Sequence, residues 1–237
     1  PSFQDVRALI NDIFLIIMEQ EPRDFSGGLN LSDWLAERHY FGRFYQSQGF
    51  NEKRGYTNDC GPTNLAMVVN MLLFQANLGT KSLNKNEVIR SSGLFFWERI
   101  PVWVPKFGGA TAPWGLVKAF NHWSEEFGLD WRAERRSRAR RAHIIENLIS
   151  GRTVTALKIW KTGGAHWVNL VRYISEKDRL YFLDPNPYLE YLAEEKRLQS
   201  QSWTEFDADW SRVSWWSRLL GIRNEIITYS KSAQEYL

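Results

Sequence analysis

The chain has a single cysteine, Cys60, among its 237 residues. This excludes an internal disulfide, and with it the small secreted scaffolds that disulfides stabilise. Long apolar runs are also lacking, because the longest one near the N-terminus covers only residues 13–18, whereas a membrane-spanning helix needs ~20. A single cysteine does not decide the cellular compartment. Secretion, the cell envelope and the cytoplasm are all consistent with the sequence.

Motifs for bound cofactors are missing as well. The chain has no glycine-rich loop of the kind that cradles phosphate. Its four histidines and one cysteine are scattered and show no metal-ligand spacing. We therefore expect neither a metal nor a cofactor.

A surplus of one charge is absent overall but present locally. The 30 basic and 27 acidic side chains leave a net charge of only +3, which gives no general case for binding nucleic acid. Six arginines, however, lie between Arg132 and Arg141. Such a cluster is a candidate site for an acidic polymer or an acidic membrane surface. We favour a solvent-exposed loop and helix start instead, since the apolar residues that would fix a core face begin only at Ile144.

The pattern of apolar residues changes along the chain. Helical periodicity or helix-start signals fall in the first two thirds, at residues 3–18, 32–39, 65–75, 87–90, 113–127 and 142–149. Strand-like segments dominate later, at residues 153–160, 166–174, 179–183 and 225–230, with a short helix at 203–210. Segregation of helices from strands predicts an α+β fold in which helices pack on an antiparallel sheet. The twelve tryptophans are expected mainly in its core, with some lining a cleft.

Cys60 stands where a loop turns into an apolar helix. Pro62 suits a first helical turn, because its missing N–H would have no partner there. Backbone amides and the helix dipole at such a position favour a thiolate, which is the reactive form of cysteine. We therefore interpret Cys60 as a nucleophile, although a lone cysteine is more often a small buried apolar residue.

A thiolate nucleophile needs an imidazole, and His166 is the best-placed histidine. It begins a strand directly after Gly163 and Gly164, which we expect to leave an open approach to its ring. Asp184 follows the next strand and would orient that ring, with Asn186 as the rival. Asp184 shares a face with His166 only if its cross-strand partner is even-numbered, for example Val168. That register predicts a connection of odd length, such as three residues, within residues 175–178.

Three blocks resemble the signatures of the bacteriocin-processing peptidase family and its stand-alone papain-like relatives. They are residues 59–68 (DCGPTNLAMV), 164–171 (GAHWVNLV) and 183–185 (LDP). The resemblance runs over about residues 46–230 and implies a papain-like cysteine proteinase fold with a Cys-His-Asp triad. It predicts one compact peptidase domain over residues 46–237, preceded by a helical extension over residues 1–45.

The resemblance also implies a glutamine before the cysteine that helps to bind the oxyanion. Here the position six residues before Cys60 is Arg54, which departs from the papain-like pattern. Gln48 matches the family's glutamine block displaced by an insertion, so it is the leading candidate, ahead of Asn58 and Gln46.

These residues predict a cysteine hydrolase of the peptidase or amidase type, acting on a peptide or another amide through a thioester. An acyltransferase would use the same triad. A third hypothesis, favoured by the altered glutamine region, is a catalytically impaired papain-like module that only binds. The oligomeric state stays open.

Overall fold

The computed structural model describes residues 31–51, 55–56, 58–90 and 111–232. The predicted helix at residues 3–18 lies outside them. Contacts divide the chain into two compact units, Pro1–Ala36 and Glu37–Leu237. The predicted extension over residues 1–45 and domain over residues 46–237 stay predictions.

The helices predicted within the described residues are present, and two short helices that were not predicted lie at residues 194–197 and 215–219. The described α-helices are α1 (Leu31–Gly42), α2 (Cys60–Gln75), α3 (Lys85–Arg90), α4 (Pro113–Phe127), α5 (Arg141–Ile149), α6 (Glu194–Arg197), α7 (Trp203–Trp210) and α8 (Trp215–Leu219). Pro113 opens α4, and Gly128 ends it in the left-handed conformation at φ 69°, where glycine has no steric penalty. Asn84 Oδ1 caps α3 by accepting the backbone N–H groups of Asn86 and Glu87.

The strands form a short ribbon and one large antiparallel sheet. The ribbon pairs β1 (Phe50–Asn51) with β2 (Gly55–Tyr56). The sheet contains, in chain order, β3 (Trp131–Arg136), β4 (Val154–Ile159), β5 (Ala165–Ile174), β6 (Arg179–Leu183), β7 (Leu198–Ser202) and β8 (Ile226–Lys231). Within the described residues its spatial order is β3-β8-β4-β5-β6-β7. The predicted α+β fold with an antiparallel sheet is thus confirmed.

Helices cover both faces of this sheet. On one face, alternate strand residues such as Val154, Ala156 and Val168 join α5 and α7 in the hydrophobic core, where Phe206 is fully buried. On the other face, α2 and α4 pack against the strands, and the rings of Phe120 and Tyr229 lie 4.6 Å apart. The end of β5 that carries His166 therefore lies in a sheet fixed on both sides.

The first part of the arginine-rich segment is a strand, which corrects the prediction of a loop there, whereas residues 137–140 form a loop and Arg141 begins a helix, as predicted. Residues 131–136 pair with β8 at the edge of the sheet, and only Ala133 of the six is buried. An edge strand with one buried residue has little apolar alternation, so its period was invisible in the sequence. Arg135 pairs with the buried carboxylate of Glu225, through Nε and, at 3.1 Å, through Nη2. Strand β7 was also missed.

The connection between β5 and β6 differs from the predicted one. Ile174 pairs with Arg179, so the connection has four residues, 175–178, and not an odd number. A β-bulge between Leu170 and Arg172 then shifts the register by one residue. Beyond the bulge Asn169 pairs with Leu183, and continuing that register past the strand end sets Val168 opposite Asp184. Asp184 therefore lies on the same face as His166, as expected, but the bulge and not the length of the connection produces this register.

Candidate active site

Cys60 is the first residue of α2 and is buried. The first turn is closed by Thr63, whose backbone N–H and hydroxyl both donate to the Asp59 carbonyl, at 2.9 and 2.6 Å. Gly61 allows a close approach, because a Cβ there would lie 2.5 Å from Cβ of Thr111. Since the first N–H groups of a helix have no acceptor within it, the thiol lies beside backbone donors.

His166 bridges Cys60 and Asp184. Its Nε2 lies 2.7 Å from Oδ1 of Asp184, and the Cys60 side chain is near enough to the ring to help raise its pKa. With Nε2 directed to the carboxylate, Nδ1 is the nitrogen left for the sulfur. The structure therefore brings three of the four predicted site residues into one cluster.

The charged forms of His166 and Asp184 stabilise each other. Burial lowers the pKa of His166, but the Asp184 carboxylate, the hydrogen bond to it and the nearby Cys60 side chain outweigh this effect and raise the pKa to about 10. Burial raises the pKa of Asp184, yet His166 and the backbone N–H of Asn186 hold it below its ordinary value. The pair is therefore an imidazolium beside a carboxylate, and Nε2 donates to Oδ1.

Asn186, the rival orienting group, has another task. Its side-chain oxygen accepts the backbone N–H of Tyr188 and caps the short 3₁₀ helix Pro187–Tyr191. Its own backbone N–H donates to Asp184 Oδ1 at 2.9 Å. Asn186 thus holds the Asp184 carboxylate in place, while Asp184 is the residue in contact with His166.

Two buried asparagines attach the helix of Cys60 to the strand of His166. Asn64 Nδ2 donates to the carbonyls of Cys60, at 2.8 Å, and of Trp167, at 2.7 Å. Asn169 Nδ2 donates in return to the Asn64 carbonyl at 2.9 Å, and its oxygen accepts the hydroxyl of Thr155. Both asparagines are fully buried, so these bonds are not exchanged with solvent and fix the spacing of α2 and β5.

An indole covers His166, which corrects the expected open approach. Trp160 stacks on the His166 ring with centroids 5.3 Å apart and planes inclined by 22°. Its backbone N–H donates to the Gly164 carbonyl, and a Cβ on Gly164 would lie 3.0 Å from the indole. Gly164 therefore makes room for Trp160 and does not open a path to the ring. Trp160 itself is 42% exposed and forms an outer wall of the site.

Gln48 lies beside the Asp184 loop. It is buried, and its backbone N–H donates to the Pro185 carbonyl at 2.9 Å. Lys85 Nζ donates to the Gln48 carbonyl and also lies 3.8 Å from the Asp59 carboxylate. Because Asp59 immediately precedes Cys60, Lys85 links the Gln48 segment to the start of α2.

The other oxyanion candidates are placed differently. The Gln46 side chain is hydrogen-bonded to backbone groups at the start of α3. Its Nε2 donates to the Leu83 carbonyl at 2.8 Å, and its Oε1 accepts the backbone N–H of Lys85 at 3.3 Å. Asn58 is exposed. Arg54 lies outside the described residues.

Lys85, Trp160 and the asparagine pair were not singled out from the sequence. Asn64 and Asn169 carried a usable signal, because each is a polar residue flanked by apolar residues in a largely buried segment, α2 and β5. Lys85 and Trp160 carried none, since they lie in loops or at element ends whose approach to the site depends on the tertiary fold.

Neither a metal site nor a membrane span is found in the described part of the chain. No three His, Cys, Asp or Glu side chains there could hold an ion together. None of the helices there combines the length and the apolar character needed to cross a bilayer.

Known structures show the same architecture. A Bacillus anthracis protein described as a C39-like peptidase aligns with a TM-score of 0.52 at 11% identity, over 80% of this chain and 95% of that one. The chain has a C39-like peptidase fold. No family model and no curated protein sequence matches it.

Two structures of the ComA peptidase domain also align. The one from Streptococcus mutans gives a TM-score of 0.40 at 14% identity and covers 78% of this chain and 98% of its own. The other, from Streptococcus, gives 0.46 at 14% identity and covers 79% and 99%.

Proposed function

We propose that the chain is a cysteine hydrolase of the peptidase or amidase type, with Cys60 as nucleophile. The observation that carries this proposal is the place of His166, hydrogen-bonded to Asp184 on one side and near the Cys60 side chain. Nucleophile, base and orienting group within hydrogen-bond reach of one another are the elements of a catalytic triad. The C39-like peptidase fold supports a peptide as the amide substrate.

The reaction runs in two acyl-transfer steps. The Cys60 thiolate attacks the amide carbonyl carbon, and the protonated His166 ring then gives its proton to the departing amine, leaving a thioester on Cys60. Water attacks the thioester as His166 removes its proton, and the carboxylic acid and the free thiolate are released. An acyltransferase would replace that water by another nucleophile.

Each step passes through an oxyanion, for which we assign two donors. One is the backbone N–H of Cys60, at the start of α2. The other is the side chain of Gln48. The position of this residue is supported by Lys85, which links the backbone carbonyl of Gln48 to the Asp59 carboxylate. Asp184 keeps the His166 ring oriented and stabilises its protonated form.

The test measures the rate at which a peptidyl acyloxymethyl ketone alkylates the protein, because a catalytic thiol must depend on its partners. Cys60 is the only thiol, so the loss of labelling in Cys60→Ala only identifies the labelled residue. The informative variant is His166→Gln, which we expect to slow labelling by about 100-fold or more. His122→Gln, which changes an exposed histidine on α4, is the matched control.

Turnover of a peptide library provides the second measurement. We expect turnover in the wild type, none in Cys60→Ala, and a loss of about 100-fold in kcat for Gln48→Ala with a smaller effect on KM. Equal labelling rates in the wild type and His166→Gln, together with the absence of turnover, would overturn the hydrolase proposal and favour the binding module.

A further inference from the structure

The short helix α8 presents an apolar face to solvent. Trp215 and Leu219 are four residues apart, hence on one side of the helix, and are 72% and 78% exposed. Leu220, just after the helix, is 42% exposed. Single exposed apolar residues are common, but three adjoining ones mark a contact surface.

The inner side of α8 fixes this orientation. Trp216 Nε1 donates to the Gly163 carbonyl at 2.8 Å, and Ser217 is fully buried. Ser214 and Ser217 form a capping box at the start of the helix. Because the inner side is anchored, Trp215 and Leu219 cannot turn inward without breaking these bonds.

Three arginines lie on α8 or on the segments directly connected to it. Arg218 belongs to α8, and Arg223 follows it on the same connection. Arg138 is joined to Arg223 by a backbone hydrogen bond, N to O, of 2.6 Å. In the part of the chain that the structure describes, none of the three forms an ion pair with a carboxylate. By contrast, Arg135 and Arg141 of the same arginine-rich stretch are paired with Glu225 and Asp178.

We propose that α8, Leu220 and these three arginines, together the α8 surface, bind the headgroup region of an anionic bilayer. Tryptophan and leucine side chains enter the boundary between headgroups and acyl chains, while arginines attract the lipid phosphates. A linear polyanion would use the arginines but give no role to Trp215 and Leu219. A bound peptide would be held in a groove, whereas side chains more than 70% exposed protrude.

The α8 surface adjoins the candidate active site. The bond from Trp216 reaches Gly163, three residues before His166. Membrane binding would therefore hold the site near the lipid surface, where a membrane-associated substrate could reach it. Binding itself does not require catalysis, so the two proposals can fail separately.

The test is co-sedimentation of the full chain, both wild type and Cys60→Ala, with sucrose-loaded vesicles. We expect both to bind vesicles of one part phosphatidylglycerol to three parts phosphatidylcholine, and to bind pure phosphatidylcholine at least about tenfold more weakly. Replacing Trp215 and Leu219 by Ser should weaken binding to the anionic vesicles by about tenfold or more. Replacing Arg138, Arg218 and Arg223 by Gln should weaken it by about 100-fold, at about fivefold for each arginine.

Two control variants separate this surface from general stickiness. Ile149→Ser with Tyr191→Ser removes apolar side chains of similar exposure, 74% and 78%, elsewhere on the protein. Lys118, Lys177 and Lys196, all exposed, are replaced by Gln to remove the same charge. Both controls should bind like the wild type. Equal losses in the controls, equal binding to neutral vesicles, or binding to a single-stranded oligonucleotide without binding to vesicles would each overturn the proposal.

Discussion

Asp184 holds the His166 ring through a 2.7 Å bond from Nε2 to Oδ1 while its carboxylate also accepts the backbone N–H of Asn186. The carboxylate does two separable things for the proposed reaction. As an acceptor it orients the ring, and as an anion it favours the protonated imidazole. An amide in its place would retain the first effect and lose the second.

We therefore expect Asp184→Asn to change the pH profile more than the maximal rate. The upper limb of the labelling rate, which reports loss of the His166 proton, should move down by more than about one pH unit, because the neutral amide no longer raises the pKa of His166. Asp184→Ala should lower the rate at every pH. The measurement is the acyloxymethyl ketone rate from pH 5 to 10, with the exposed Asp130→Asn as control. An unchanged upper limb in Asp184→Asn would contradict this assignment.

The same pair makes stability depend on pH. His166 has a folded pKa raised to about 10, so its contribution is complete below its unfolded value of about 6.5 and is lost as the pH rises through about 10. Asp184 has a lowered folded pKa, so its contribution is present above about 3.9 and is lost as the pH falls through that lowered value. The pair is thus most stabilising between about pH 4 and 6.5.

Urea unfolding of the wild type and Asp184→Asn at several pH values tests this window. The difference in unfolding free energy should be constant between about pH 5 and 6 and should shrink by more than about 1 kcal/mol towards pH 10, which corresponds to about one pKa unit. A difference that grows with pH would show that the pair does not carry the charges assigned to it.

Sequence patterns predicted most of the fold, because its central elements bury continuous or periodic apolar faces. Strand β4 is buried along its whole length, and α2 is buried over most of its residues. The edges were missed for the converse reason. Strand β3 buries only Ala133 of its six residues, and its pairing to β8 is reinforced by a charge pair between Arg135 and Glu225 that no local pattern reveals.

The candidate site shows a similar division. Cys60, His166 and Asp184 could be chosen from the sequence because their chemistry and their positions at element ends are local properties. The register between β5 and β6 could not be predicted from the sequence. The extra residue that sets it lies in a bulge near Leu170, and no turn residue marks that bulge. The stacking of Trp160 on His166 likewise depends on two strand ends meeting.

Asn64 should matter for stability as well as for the site. In Asn64→Ala the buried carbonyls of Cys60 and Trp167 both lose a donor, so we expect a loss of about 2 kcal/mol or more in unfolding free energy. Labelling of Cys60 should slow too, because α2 keeps the bond from Asn169 but loses the one from Asn64 to the Trp167 carbonyl of β5. Asn147→Ala is the matched control, since Asn147 also donates to the carbonyl four residues earlier, that of His143, at 2.7 Å. Equal losses in the two variants would mean that the bond to Trp167 contributes nothing.

Gly61 tests how closely the start of α2 must approach Thr111. A Cβ at residue 61 would lie 2.5 Å from both Cβ and Oγ1 of Thr111, so Gly61→Ala requires the start of α2 to move. We expect it to lower the unfolding free energy by about 1 to 3 kcal/mol and to slow the labelling of Cys60. Gly79→Ala is the control beyond the other end of α2, where the new Cβ would meet Phe74 at an ordinary 3.6 Å.

A double-mutant cycle distinguishes the clash with Thr111 from any other destabilising effect of alanine at residue 61. Thr111→Gly removes the obstructing Cβ but keeps the carbonyl that accepts Trp167 Nε1 at 3.0 Å. The double variant should therefore be more stable than the sum of the single effects predicts, by about 1 kcal/mol or more. Additive effects would show that the cost of Gly61→Ala arises elsewhere, and the close approach of α2 to Thr111 would then have no part in positioning Cys60.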